Sequence, residues 1–489
     1  RLSGGYYGSF YRNSYGSVTP DVPAALFASS GALLPLSTGL RAILNQPVAL
    51  APDNQAHHLD LTGSYGISRT TQLNFKMGYS HATQHQDFAA AGLTGAPAGV
   101  SNLGGKVSTT LAQVGVTSRP MPKLSLSASM RYEHKDDQTP LAAYNIEGLS
   151  TYTNRQLPRT DWHGKTEAGY QINSDWKATL GADFQSVDRG VFTATSAVAG
   201  LTALRQKTEE VGVRAQLRGR LSDELSGAVS LETSRRDGSN WLRNNSGAGV
   251  TEISDPSSAA SGFANGIFMP NLADRQRDKL KLQADWQPTE KLALQLVAET
   301  GRDRFSSPSI YGLHSAGLRS LSLDGSFAVN DKWSLNSYVS YGRQALDQSR
   351  PDASIMAFDN KSTTLGIGFT GKPTAKWDVG GTLSFMDDRS IYAQTLDSTS
   401  GGANSALLAA TGGLPDTVFR QTTLRLFGKY AIDKQSAFRI DLGHQRTTWT
   451  DWAWGYSGTP FVYSDGTTVN RKSGQSVSFL AVTYTRKWP

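Results

Sequence analysis

Segments of roughly 10–14 residues in this chain alternate apolar and polar side chains, and no other feature constrains its fold as tightly. Leu73, Phe75, Met77 and Tyr79 interleave with Gln72, Asn74, Lys76 and Gly78. Leu280, Leu282, Ala284 and Trp286 interleave with Lys279, Lys281, Gln283 and Asp285, and Phe438, Ile440 and Leu442 with Arg439, Asp441 and Gly443. Period two gives an extended segment one apolar and one polar face. A soluble sandwich alternates too, but its strands run about 5–6 residues, whereas a strand crossing a bilayer needs about 9–11. Length selects the membrane strand.

Composition agrees. Over 489 residues, hydrophobic side chains make up 38% and charged ones 18%, below the about 45–50% and 25% of globular chains. Such a chain cannot fill the three soluble cores its length would suggest at about 150 residues each. Ten Trp, 18 Tyr and 18 Phe, with a net charge of only +7, exclude a disordered chain. The basic excess has no runs, so it makes no nucleic-acid footprint. There is no Cys, which excludes disulfides, thiolate metal sites, Cys nucleophiles and covalent c-type haem attachment on this chain. No apolar run reaches 18 residues, so no membrane helix is expected. Arg1-Leu2-Ser3-Gly4 shows no basic segment followed by an apolar one, and any secretion signal is expected to be removed or upstream. The expected class is a single transmembrane antiparallel β-barrel of the Gram-negative outer membrane, which needs only alternate residues to be apolar.

Hairpins organise the whole chain. Eight tight turns are expected around Arg69-Thr70, Arg119-Pro120, Asn173-Ser174, Ser222-Asp223, Thr289-Glu290, Asn330-Asp331, Pro373-Thr374 and Asp433-Lys434. Longer loops such as 237–274 and 391–416 separate the pairs. A first strand at residues 2–11 and a last at 475–488 bring the expected count to 18. Short turns on one side and long loops on the other are the outer-membrane pattern, with the short turns periplasmic. Trp176, Trp286, Trp333, Trp377 and Trp488 fall near the short turns, and Trp162, Trp241, Trp449, Trp452 and Trp454 at the opposite ends. Indole favours the headgroup layer, so two aromatic girdles are expected. The segment 13–55 reads as an ordered extracellular loop or as short helices.

Several apparent motifs dissolve in context. Gly366-Ile367-Gly368-Phe369-Thr370-Gly371 matches G-x-G-x-x-G but runs into a turn instead of opening a helix, so it reads as a flat strand with close neighbours. His81 and His85 read as loop histidines, and His57-His58 point to opposite strand faces. Asp136-Asp137 and Asp387-Asp388 lack a calcium-loop pattern. No catalytic constellation stands out, and the chain is expected not to be an enzyme. A barrel hydrolase would be the exception.

The polar strand faces carry Lys76, Arg131, Lys177, Asp183, Arg214, Arg218, Lys279, Lys281, Asp285, Asp378, Arg425, Lys429, Arg439 and Asp441. A basic side chain facing lipid near the midplane costs about 2–4 kcal/mol, so these residues are expected to face the lumen. Lys76, Arg131, Arg214, Arg218, Lys279, Lys281, Arg425, Lys429 and Arg439 are the candidate contacts to an acidic or mixed-charge protein inside it. A water-filled porin wall needs the same residues.

Three strings resemble a known family. Ala51-Pro52-Asp53-Asn54-Gln55-Ala56-His57-His58-Leu59-Asp60-Leu61 is similar to the A-P-D-N-Q-A-H-x-L-x-L segment of the MtrB/PioB barrels. Asp274-Arg275-Gln276-Arg277, followed by Pro288-Thr289 and Leu292-Ala293-Leu294, resembles that family's D-R-x-R strand and its P-T-x-x-L-x-L turn. Thr450-Asp451-Trp452-Ala453-Trp454, with Val477–Tyr484, resembles its C-terminal hairpin. The resemblance implies a barrel that encloses a periplasmic decahaem c-type cytochrome and supports electron transfer across the outer membrane. Haem would be carried by that partner, with no cofactor on this chain, and an extracellular multihaem cytochrome is a further implied partner. Two departures stand out: family barrels have about 26 strands with the A-P-D-N-Q string mid-chain, and the metal-reducing branch has an N-terminal Cys pair. Both fit a chain lacking N-terminal strands; a smaller barrel is the other reading. A diffusion porin or substrate-specific channel is the competing function.

Overall fold

The computed structural model describes residues 1–18, 48–85, 87–88, 101–140, 143–146, 149–152, 158–190, 203–245, 249–253, 269–306, 312–349, 354–396, 416–450 and 473–487. Eighteen long strands form one sheet. They are β1 (Leu2–Tyr11), β2 (Asn54–Gly66), β3 (Thr71–Gln84), β4 (Gly105–Met121), β5 (Leu124–Asp137) and β6 (Arg159–Gln171). Next come β7 (Trp176–Arg189), β8 (Lys207–Arg220), β9 (Leu225–Gly238), β10 (Asp274–Thr289), β11 (Leu292–Ser306) and β12 (Gly312–Asn330). The last are β13 (Trp333–Ser349), β14 (Ser354–Thr374), β15 (Trp377–Leu396), β16 (Thr417–Ala431), β17 (Ser436–Thr450) and β18 (Gly474–Arg486). Each pairs antiparallel with the next in chain order. This is the meander of an outer-membrane β-barrel, with the expected number of strands.

Six of the eight short turns lie where expected. The other two are displaced: β4 runs through Arg119-Pro120 to a turn at Pro122-Lys123, and β14 runs through Pro373-Thr374 to a turn at Ala375-Lys376. Both ladders shift register there, between Ser118 and Met121 and between Gly371 and Thr374. Proline lacks an N–H, so a bulge tolerates it inside a strand. At these places proline marks the bulge and not the turn.

Strands β12–β15 run 19, 17, 21 and 20 residues. That exceeds the about 9–11 a membrane requires, so their loop-side ends rise above it as a wall. The long-loop side carries a small sheet of its own, Ala203–Arg205 with Trp241–Asn245 and Gly249–Glu252. Trp241 was expected in a girdle. It is instead buried with Ile253, Leu272 and Ala273 against Phe305, beneath the Arg205 guanidinium at 5.2 Å. Apolar neighbours supplied within the loops displace the headgroup layer as its environment. Trp449 stands on the polar face, opposite Phe419; Trp452, Trp454 and Trp488 lie outside the described residues, as does most of 13–55.

Large apolar side chains remain widely exposed on one face, as the lipid-contacting surface of a barrel requires. Among the described residues, no strand pairs with the outer edge of β1 or of β18. Exposure agrees: Leu480 and Val482 on β18 are 66% and 63% exposed, against 47% for their cross-strand partners Leu442 and Ile440.

Candidate functional site

Residues directly opposite in an antiparallel ladder share a face, so facing propagates from strand to strand through the register. Starting from Lys76, the chain of opposites runs to Gln113, Arg131 and His163. Further along, Arg214 faces Glu232, Glu232 faces Lys279, and Lys281 faces Glu299. At the far side Arg425 lies opposite Thr382, and Lys429 lies between Asp378 and Arg439. All nine candidate residues fall on the same face of the sheet. Their alternates, including Leu61, Met77, Met130, Leu180, Leu231, Leu282, Leu323, Leu365, Leu424 and Leu442, form the other. In a barrel the apolar face meets lipid and the polar face lines the lumen.

The expected basic tilt of that wall is largely neutralised from within. Arg131 pairs with Glu133 two residues along its own strand. Arg214 reaches Glu167 at 2.6 Å, Arg218 reaches Asp285 at 3.8 Å, Lys279 reaches Glu232 at 3.7 Å, and Arg439 holds Asp441 at 2.7 Å. Lys76, Lys281, Arg425 and Lys429 make no ion pair among the described residues. The structure thus divides the nine into five internally matched cations and four that present charge to the lumen. Across β3–β9 the polar face surrounds a cavity of about 530 Å³ lined by Lys165, Glu167, Asp183, Glu210, Arg214 and Glu232.

Two functional-looking strings turn out to organise the long-loop rim. In the A-P-D-N string, Asp53 Oδ1 accepts the Asn13 N–H at 2.7 Å, and Asn13 Nδ2 donates to Ala51 O at 3.1 Å, which ties the ends of the first loop together. His57 Nδ1 shares a hydrogen bond with the Tyr6 hydroxyl at 2.8 Å, and the Tyr6 and Phe10 rings flank the imidazole. His81, expected in a loop, lies within β3 directly opposite His57 and bonds Ser108 Oγ at 2.9 Å. No group of three or more metal-ligating side chains occurs among the described residues.

In the D-R-x-R string, Arg275 reaches Glu210 at 2.6 Å and Arg277 reaches Asp303 at 2.6 Å. Asp274 accepts the buried Arg205 Nη1 at 2.6 Å. This network joins β8, β10 and β11 to the small loop sheet. It was absent from the expected site residues, although the two arginines at i, i+2 stood on the polar period and could have revealed it. Asp387, expected at a loop end, lies within β15 and accepts Arg420 at 2.6 Å; its neighbour Asp388 accepts Asn360 at 2.9 Å. The G-x-G-x-x-G match lies wholly inside β14, where a Cβ at Gly366 would run into the Tyr338 ring and one at Gly371 into the Trp333 ring. Cross-strand aromatics lie flat on those glycines, which need no nucleotide to account for them.

Comparison with known proteins follows the same lines. A family model described as outer membrane beta-barrel porin, MtrB/PioB matches residues 1–488. The chain is similar to the outer membrane protein MtrB of Shewanella baltica (strain OS185), at 24% identity over 446 residues, which is 89% of this chain and 57% of that protein. It therefore spans just over half the length of that relative. Among solved structures, the FrpB iron transporter from Neisseria meningitidis (F5-1 variant) matches 98% of this chain and 77% of its own at TM-score 0.49 and 8% identity. The copper transporter OprC matches 99% and 75% at TM-score 0.47 and 8% identity.

Proposed function

Because this chain belongs to the MtrB/PioB family of outer-membrane β-barrels, we propose that it forms the sheath around a periplasmic multihaem cytochrome and so supports electron transfer across the outer membrane. The observation that carries this reading is the polar face that cross-strand register carries from β1 to β17; on β18 the same face bears Val477, Phe479 and Ala481. Barrels of 16–18 strands already leave an aqueous channel, and larger ones hold a folded plug. A wall of this width, mixed in sign and mostly satisfied within itself, suits a protein occupant whose own charges lipid would strand. The chain's part is structural rather than catalytic: it excludes lipid, positions the partner and leaves the haem chemistry to it.

The four cations without internal partners define the test. Reversing Lys76, Lys281, Arg425 and Lys429 to Glu places unmatched like charges against an acidic partner at several kcal/mol in total, while the lipid face is untouched. Expected is loss of co-purifying haem with normal heat-modifiable gel mobility. A quadruple variant that folds and still retains a full complement of haem overturns the electrostatic basis of the sheath. An unmutated barrel that purifies colourless from its native host and conducts ions favours the porin.

A further inference from the structure

The outward apolar rows of β11–β17 end at a common level, and what replaces them is mostly basic, with Asp387 on β15 taken up by Arg420 of β16. Arg319 lies directly opposite Arg343, Arg343 opposite Lys361, and Lys361 opposite Arg389. Four consecutive strands thus contribute four cations to one cross-strand row, an arrangement that destabilises a ladder unless an anion covers it. Nearby carboxylates do so only in part. Asp359 holds Arg343 at 2.8 Å and stands 3.9 Å from Lys361; Asp416 is 3.8 Å from Arg389. Arg319 is exposed and makes no ion pair among the described residues, and the same holds for the flanking Arg302 on β11 and Arg446 on β17.

The row's height identifies its surroundings. On β13 the outward residues from Trp333 to Tyr341 mark the apolar band. Eight steps of about 3.3 Å at a tilt of about 40° give roughly 20 Å, close to the about 25 Å of such bands. Arg343 is the next outward residue, so the row stands at the headgroup level of the outer leaflet. The opposite flank of the sheet differs: at the corresponding ends of β3–β7 the outward residues that face one another are His81, Ser108 and Asp136, and then His134, Thr160 and Asp188, so the fixed charge there is acidic. The basic row belongs to one flank.

We propose that this row docks the phosphorylated headgroup of an outer-leaflet glycolipid. Guanidinium groups engage phosphate bidentately. Four strands at about 4.8 Å spacing span roughly 14 Å, enough for a headgroup bearing more than one phosphate. The site is independent of what the lumen holds.

The test uses the full chain folded in detergent, with diphosphoryl lipid A as the probe and enzymatically dephosphorylated lipid A as its comparison. Retention is read by native mass spectrometry. The unmutated chain should retain the phosphorylated lipid by about tenfold or more over the other, as charge-assisted hydrogen bonds imply. Arg319→Gln, Lys361→Gln and Arg389→Gln together should abolish that preference; Arg343 is left alone because it supports Asp359. Lys291→Gln, Lys332→Gln and Lys376→Gln remove the same charge from the short turns of β10–β15 and should leave the preference intact. Equal loss in both triple variants, retained preference in the first, or no preference in the unmutated chain overturns the site. Displacement of bound lipid by millimolar inorganic phosphate overturns the lipid assignment.

Discussion

Replacing Leu282 with Arg tests the facing of the whole sheet at one position. Leu282 lies on the outward face of β10, between Val229 and Ala298 of the neighbouring strands. Trp286, four residues nearer the short turn, marks the interface. At about 3.3 Å per residue and a tilt of about 40°, Leu282 stands roughly 10 Å above it, close to the middle of a band about 25 Å tall. An arginine there costs about 2–4 kcal/mol, or roughly 30- to 900-fold in the folding equilibrium. Lys281, one residue away, lies between Ser230 and Glu299 on the polar wall and makes no ion pair among the described residues. Lys281→Ala should therefore change stability by no more than about 0.5 kcal/mol. The assay is reversible denaturation in phosphocholine vesicles followed by tryptophan fluorescence, with equal slopes required before midpoints are compared. Equal losses at the two positions, or a larger loss at Lys281, would refute the register from which every facing assignment follows.

Three further outcomes are expected. With no native Cys, Asn271→Cys should react with an impermeant thiol reagent on intact cells, whereas Asp331→Cys and Lys434→Cys should react only once the outer membrane is opened; the reverse pattern inverts the topology. Gly371→Ala should destabilise by about 1–3 kcal/mol, because its Cβ would meet the Trp333 ring, whereas Gly342→Ala, with open space around it, should be near neutral; thermal unfolding distinguishes them. In the last short turn Asp433 accepts the N–H groups of Gln435 and Ser436 at 2.7 Å each, and these bonds hold its carboxyl below the usual range. That contribution is present above pH about 4 and disappears as pH falls through the lowered value, so the stability gap to Asp433→Asn should be open at pH 7 and closed at strongly acidic pH.

What was legible in the sequence was whatever depends on alternation within one strand. The 18 strands, the inward direction of Lys76 or Arg425 and the dismissal of the G-x-G-x-x-G match all rest on period two, which lipid on one side enforces. What was hidden depends on pairing between strands. That Arg214 finds Glu167, two strands away across Gly181, follows from cross-strand register, which turns and bulges set. The proline-bearing bulges at Pro120 and Pro373 were mistaken for turns because the same missing N–H suits both. Above the bilayer the period loses its cause, since water lies on both faces. The upward extension of β12–β15 and the burial of Trp241 therefore left little trace in the pattern.

Among the described residues the outer borders of β1 and β18 are unpaired, and that limits how this sheet can rest in a bilayer. In an antiparallel ladder about half of a border strand's N–H and C=O groups point away from its one neighbour. Hydrocarbon offers those groups nothing to bond with, at several kcal/mol apiece. Summed along a spanning strand, the penalty reaches the order of tens of kcal/mol, more than the entire stability of a typical folded domain. Immersion with either border bare is therefore closed to this sheet as a resting state. Whatever matches those two borders must be in place wherever this sheet rests in a bilayer.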